Sequence, residues 1–556
     1  MRLKRILAVV LMLFSIQALV SVAQDDETVV IRGFGNLSSF NPYLASDGAS
    51  FQAYRLLFPT PFGVNSMTGE PEPGLTSWEI SDDGLTYTFT ILEDAAWSDG
   101  TPISSADMKF AIDAVKSEEI ASVSEAAGQT IAEVNIIDEK TYEIVLNAVN
   151  CAALSDLGSF SFIPAHKFAA DFSDFESSEF NDNPDVSGGP YILEEWEPDA
   201  FQRFRANPDF WAGEPAIPFL INRVVGEQAV ALQAIQAGEV DYTYFQGDLF
   251  QQIPNTDNLQ WDIYPQMSVN FLSLNWADPD SPEAAMDEDG NMTEQTPHPI
   301  FSDVAVRKAV AMGYNKGDVL ATLGGDQGGT PLVGAVNPAV GWAYNNDLEP
   351  YAYDPDAAMQ ILEDAGWVDE DGDGVREKDG VRLAFSITYS DILLFFETTA
   401  LVAADQLGDI GFEVTLDKVE WANYLSDVYF GQAYDATPMS NSGGTAPPDP
   451  NDFMSLLRTD EDVPGSGNNL ASYSNPEIDA LIEQARSVEG CDPEARGEIY
   501  REIQRIAYED VAYDWTFVPN IWQTANQRIE GFEPGPAWVF YGYTGYVQDW
   551  SIGGDE

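Results

Sequence analysis

Cysteine and histidine are almost missing from this chain: two of each, Cys151, Cys491, His166 and His298, in 556 residues. So little imidazole disfavours a metal such as nickel, for which imidazole is a preferred ligand. Neither histidine stands near a Ser or Cys nucleophile motif. Basic residues are scarce as well, 25 against 92 acidic, and the formal net charge of -67 repels nucleic acid and anionic membrane surfaces. Gly-x-Ser-x-Gly elbows, His-Glu-x-x-His helices and phosphate-cradling Gly-x-x-x-x-Gly-Lys loops are absent. With 92 carboxylates a glycosidase pair can always be drawn, so abundance makes such a pair uninformative and a secreted hydrolase has little support.

An apolar run long enough to span a bilayer is also lacking after the amino terminus. The chain opens with basic Arg2, Lys4 and Arg5, continues with Ile6 to Ile16 broken only by Ser15, and reaches Val20-Ser-Val-Ala23 before Gln24-Asp25. This succession reads as a secretory signal peptide, residues 1–23, cleaved after Ala23. No cysteine lies there to carry a lipoprotein anchor, so a soluble periplasmic or extracellular protein is expected. Cleavage removes three basic residues and shifts the net charge from -67 to -70. Acidity of this degree reads as a solubility adaptation that salt would screen, and it says little about a ligand. At about 150 residues per domain, the remaining chain predicts three or four lobes.

Local signals are densest between residues 73 and 110. Asp83-Gly84 closes a hairpin between a run ending at Trp78-Glu-Ile80 and the alternating run Leu85-Thr-Tyr87-Thr-Phe89-Thr-Ile91. Trp97-Ser-Asp-Gly-Thr-Pro102 makes a second turn, and Ser105, ahead of Asp107 and an apolar periodic segment, is placed to N-cap a helix running to Val115. Further on, Gly188-Gly189-Pro190-Tyr191 leads into two alternating strands, and Asn207-Pro208 begins a reverse turn before Phe210-Trp211. Val230, Ala231, Ala234 and Ile235 recur at helical spacing, with Gly238 as a C-terminal cap before the strand Glu239-Val-Asp-Tyr242. Residues 278 to 297 read as an acidic surface insertion. Asp303 suits the amino end of the helix after it, while Pro355 and Gly366 bracket another helix.

In this order and wording the segments closely resemble the signature of the family 5 extracellular solute-binding proteins, the oligopeptide, dipeptide and nickel receptors of ABC importers. The resemblance continues through Asn475-Pro476 to Phe517-Val-Pro519 and covers almost everything after residue 23. It implies an α/β fold of the periplasmic binding protein type, with two main lobes joined by a hinge plus a smaller inserted lobe. Lobe I would comprise residues 28–72, 185–268 and 520–556, lobe II residues 73–184, and lobe III residues 269–519. It also implies binding without covalent chemistry: a monomer, needing no cofactor and no nucleic acid, holds a peptide or similar polar solute between lobes I and III and delivers it to ABC permease subunits. A receptor for oligosaccharide or another non-peptide solute, and a ligand sensor without transport, are the alternatives.

By the same resemblance, Ser46, Asp47 and Gly48 in lobe I, Asn270 at the crossing, Asn441, Gly443 and Gly444 within Ser440 to Pro450, and Trp522 are candidates for ligand contact. Loop or core packing accounts for each equally well. Peptide-binding members pair the ligand's free α-amino group with an Asp, and the aligned position here is Ala446, with Asp449 nearby as a substitute. A buried ammonium without such a partner costs several kcal/mol, which favours sugars, blocked peptides or other polar solutes. Asp369, Asp371 and Asp373, the carbonyl of Val375, and Glu377 copy the first half of a calcium loop, but its twelfth position is Gly380. A hairpin turn is the first reading there and a weak Ca2+ site the second. The resemblance puts Cys151 in lobe II and Cys491 in a helix–helix loop of lobe III. An oxidising compartment favours a Cys151–Cys491 disulfide, whereas the restriction it would place on lobe motion argues for free thiols.

Overall fold

The computed structural model describes residues 27–33, 35–45, 47–246, 249, 257–287, 290–443, 447–535 and 542–553. Its first lobe is built on a mixed sheet in the order Leu259–Pro265, Phe517–Asn526, Tyr242–Phe245, Thr28–Gly33, Phe219–Val224, Phe201–Ala206 and Tyr191–Glu197, with Gly329–Pro331 joining Phe517–Asn526. Thr28–Gly33 is buried at all six positions, as a β-branched run does when both faces of a parallel strand are covered. Its faces go to different cores. Val29 and Ile31 pack with the helix Gly48–Leu57, and Val30 packs with Ala231, Leu232 and Ile235 of the helix Gln228–Gln236. Asp241 is fully buried beside this strand, where it accepts from the Val30 N–H and from Arg528.

The second lobe carries a four-stranded antiparallel sheet, Thr76–Ile80, Thr86–Ile91, Thr141–Leu146 and Ile131–Ile136 in that order. Gly84 adopts a positive φ of 69° in its first hairpin, the conformation that a tight turn needs and glycine supplies cheaply. Tyr87, Phe89 and Ile91 alternate inward and join the same hydrophobic core as Val29, Ile31 and Tyr191 of the first lobe. Lobes I and II therefore share one core. The helix Ser105–Val115 is capped by Ser104, one residue before the expected position, and Asp107 accepts from the Ser104 N–H and hydroxyl. Ser105 instead donates to the Asp138 carbonyl. Val230, counted on the apolar face of its helix, is 54% exposed.

The third lobe has its own core around the sheet Glu413–Lys418, Ala384–Tyr389, Ala436–Ser442, Ser268–Leu274 and Asp514–Trp515. The helices Val304–Gly313, Leu394–Gly408 and Pro493–Asp510 pack around it. Asp303 caps the first of these by accepting from the Ala305 N–H. The expected α/β architecture with an inserted lobe is thus borne out. Two connections join lobe III to lobe I. One is Gln266-Met267, between Leu259–Pro265 and Ser268–Leu274; the other is the strand Phe517–Asn526, which pairs with lobe III up to Pro519 and with lobe I from Asn520. They lie side by side: the Gln266 N–H donates to the Pro519 carbonyl at 2.7 Å, and the Thr516 N–H to that of Asn270 at 3.0 Å. Asn337 braces the first through its amide, which donates to the carbonyls of Gln266 and Ser268.

Candidate functional site

Register decides where the two main lobes face each other. In lobe III, Ala384–Tyr389 runs parallel to both Glu413–Lys418 and Ala436–Ser442, so the carboxyl ends of all three emerge on one edge. Ser268–Leu274 is antiparallel to Ala436–Ser442 and starts at that same edge, Ser268 opposite Ser442 and Asn270 opposite Ser440. In lobe I, Thr28–Gly33, Phe219–Val224 and Tyr242–Phe245 are parallel and end where the two connections cross. A cleft between the carboxyl edges of two α/β sheets is the usual position for a ligand in such folds.

The carboxyl edge of the lobe III sheet carries exposed apolar residues. Ile392, Leu393, Leu394 and Trp421 are between 38% and 54% exposed and stand in the segments that follow the parallel strands. Lys418 ties these segments together by pairing with Asp391 at 2.8 Å, and the Trp421 ring stacks on Tyr424, whose hydroxyl donates to the Pro438 carbonyl. Exposed apolar residues gathered at a cleft mark a binding wall more often than chance. The remaining edge is polar and uncharged: Ser268, Asn270, Ser440, Asn441 and Ser442 from lobe III, and Gln266 and Asn520 at the crossings. Asn270 is fully buried. Its side-chain Oδ1 accepts from the Ser440 hydroxyl at 2.7 Å, and its Nδ2 has no partner among the described residues.

Sequence reasoning had not singled out Ile392 to Leu394 or Trp421; the run of five apolar residues, Ile392 to Phe396, directly after Ser390-Asp391 was the available signal. Among the residues it did single out, Asp47 caps the helix Gly48–Leu57 and accepts from Ser50 and Ser38. Partial burial pushes this carboxyl up, but these hydrogen bonds outweigh it and hold the group below the usual carboxylate range. Gly48 begins that helix with open space beside it. A Cβ on Gly443 would lie 2.8 Å from the Phe453 ring, so core packing alone calls for glycine there. Trp522 is a core residue: 1% exposed, it packs on Trp261 and donates weakly to the Gln327 carbonyl at 3.4 Å. Ser46, Gly444 and Ala446 lie outside the described residues, as does the expected signal peptide.

Asp449 is committed elsewhere. Both its oxygens accept from Arg496 at 2.9 Å, with Asp449 and Arg496 6% and 5% exposed, and it caps the turn at Asn451. This pair sits on the seam between lobes II and III. There Cys151 and Cys491 form a disulfide, with a Cα–Cα distance of 5.2 Å, the Cys151 N–H donates to the Arg486 carbonyl, and the Ser155 hydroxyl to that of Pro447. Beside the seam lies a cavity of about 1180 Å³, lined by the hairpin tips around Met67 and Asp82, by Ala339 to Trp342, and by the cysteine loops.

Asp369, Asp371 and Asp373 bring carboxylate oxygens within 4.8 Å of one another on the surface. Asp369 accepts from the N–H groups of Gly372 and Gly374, Asp373 from that of Val375, and Glu377 from that of Glu370. Arg382 donates to Asp373 at 2.8 Å. These are the bonds of a well-made turn. The histidines are structural too: His298 Nδ1 accepts from the N–H groups of Ile300 and Phe301 while Nε2 faces Asp435, and His166 pairs with Asp99.

Residues 70–464 match the family model for bacterial extracellular solute-binding proteins, family 5. The chain belongs to this family. A putative ABC transporter peptide-binding protein of Brucella melitensis is 26% identical to this family 5 protein over 484 residues, 86% of this chain and 84% of that one. The oligopeptide-binding protein AppA of Bacillus subtilis is 23% identical over 525 residues, 92% and 90% of the two chains. Among solved structures, NikA from Brucella suis aligns with a TM-score of 0.78 at 22% identity, over 95% of this chain and all of that one. The AppA structure with a nonapeptide aligns at 0.71 and 22%, over 95% and 99%. These likenesses establish the fold. The family and these neighbours are binding proteins, extracellular by the family's description, and among the described residues of this family 5 chain no helix is long and apolar enough to cross a membrane.

Proposed function

We propose that this protein captures a peptide or similar polar solute between lobes I and III, outside the cytoplasmic membrane, and delivers it to the permease of an ABC importer. What carries this reading is strand register: the carboxyl edge of the lobe III sheet, with its uncharged polar residues and the exposed Ile392 to Leu394 and Trp421, lies at the paired connections to lobe I. Serine, asparagine and glutamine groups suit main-chain amides, and an exposed Leu–Ile–Trp wall suits apolar side chains. The names of the relatives support peptide as the solute class. No covalent step is required: binding shifts the equilibrium between lobe arrangements, and the permease reads the closed one.

Mass spectrometry of solute carried through purification tests the reading. A ladder of peptides is expected, and a lone oligosaccharide would overturn the substrate class. Intact peptide after prolonged incubation is expected as well, and cleavage would point to a hydrolase. Ala446 lacks a carboxylate and Asp449 is already paired with Arg496, which favours ligands without a free α-ammonium. Amino-terminal acetylation of a bound peptide should therefore leave its Kd unchanged, whereas a hundredfold loss would restore the free-amine reading.

A further inference from the structure

We propose that Cys151–Cys491 is a covalent clasp on lobe closure, which limits how the lobe I–II body can move against lobe III until it is reduced. Three observations carry this. Lobes I and II share one hydrophobic core, and lobe III has another that Val64 of lobe I also joins, so the three sheets form two mechanical bodies in contact. The bodies are joined by two adjacent connections, which act as a single pivot. The disulfide is a third tie, from lobe II to lobe III, made by residues that belong to neither of the two connections.

A body held at one pivot can swing away. Tied at a second point, it retains only rotation about the line through both, so a broad opening of the lobe II–III seam is excluded while the bond is intact. Beside the disulfide the seam is crossed by hydrogen bonds from the Cys151 N–H to Arg486, from Ser155 to Pro447 and from Arg496 to the Cys151 carbonyl, and both cysteines are half-buried, within reach of a small dithiol. Cys491 has a φ of 50°, unusual for a residue other than glycine, which the loop is free to relax once the bond is cut. In the reaction, a thiolate of the dithiol attacks one sulfur and the second thiol resolves the mixed disulfide. The dithiol leaves as a cyclic disulfide, having passed two electrons and two protons to Cys151 and Cys491. The clasp bears on solute exchange through the function proposed above, but its geometry does not depend on what the solute is.

Small-angle scattering and hydrogen exchange on ligand-free protein test it, comparing the oxidised wild type, the dithiothreitol-reduced wild type and the double variant Cys151→Ser/Cys491→Ser. Reduction or substitution is expected to raise the radius of gyration by about 1 Å on about 24 Å. Exchange of the Cys151 amide should accelerate tenfold or more, while near-ultraviolet dichroism stays native. Equal radii and equal exchange in oxidised and reduced protein would overturn the clasp, and so would titration of two free thiols in protein purified without reductant. If the double variant does not fold, the reduced wild type still reads the outcome. Failure to recover any solute would count against the transport reading and leave these measurements standing.

Discussion

Gly189 stands where no side chain fits: a Cβ there would fall 2.3 Å from the Leu56 carbonyl oxygen, and Asn207, fully buried, donates to the Gly189 carbonyl at 2.8 Å. Two short motifs that look independent in the sequence are therefore one contact. Gly189→Ala is expected to cost about 1–3 kcal/mol by forcing the backbone apart, read as a lower midpoint in urea unfolding. Two carboxyls, the buried Asp462 and the half-buried Asp156, set a pH dependence. Burial and the nearby charge of Asp449 push Asp156 up to about 6, in a neighbourhood that includes Asn150, Arg486 and Tyr87; burial does the same to Asp462 despite bonds from Gln295 and Ser472. Their folded-state pKa exceeds the unfolded value, so the stability they add is complete below about 4 and lost as pH rises through 6. Asp156→Asn with Asp462→Asn should flatten this part of the stability profile between pH 4 and 6. An unchanged slope would show that other groups set it. Caps such as Asp303 are legible in sequence because they act within one turn. Asp449 is not, because its partner Arg496 is 47 residues away.

Strand alternation and helix period located most of the regular elements, since both depend on residues a few positions apart. The cleft was only partly legible. Its floor at Asn270 and Asn441 lies on strands, but the wall at Ile392 to Leu394 and Trp421 is created by parallel pairing of Ala384–Tyr389 with Glu413–Lys418, which no local pattern announces. Trp421→Ala is expected to weaken solute binding by about 1–3 kcal/mol, roughly 5- to 150-fold in Kd, with thermal stability nearly unchanged because the ring is 38% exposed. The Asp369 loop illustrates the reverse. Its spacing suggests calcium, yet its carboxylates serve backbone N–H groups and Arg382. Millimolar Ca2+ is expected to leave the unfolding temperature unchanged, and a rise would establish binding.

At the scale of the whole molecule, 92 acidic residues face 25 basic ones, and few of the ion pairs between them are buried. Self-repulsion should relax as the Debye length falls from about 10 Å in 0.1 M salt to about 3 Å in 1 M salt. Calorimetry is therefore expected to show the unfolding temperature rising with sodium chloride, and a flat response would mean the charges are already compensated. The three-lobed plan was legible from the order of motifs, whereas the grouping of lobes I and II around one core emerges only when distant strands are packed. One further consequence lies in the strand Phe517–Asn526, which is inserted between Leu259–Pro265 and Tyr242–Phe245 although it comes almost last in the chain. Without it, Leu259–Pro265 and Tyr242–Phe245 have no common partner in the lobe I sheet. Completing lobe I therefore needs a contact that reaches across the whole of lobe III in sequence, and contacts of such separation are slow to form.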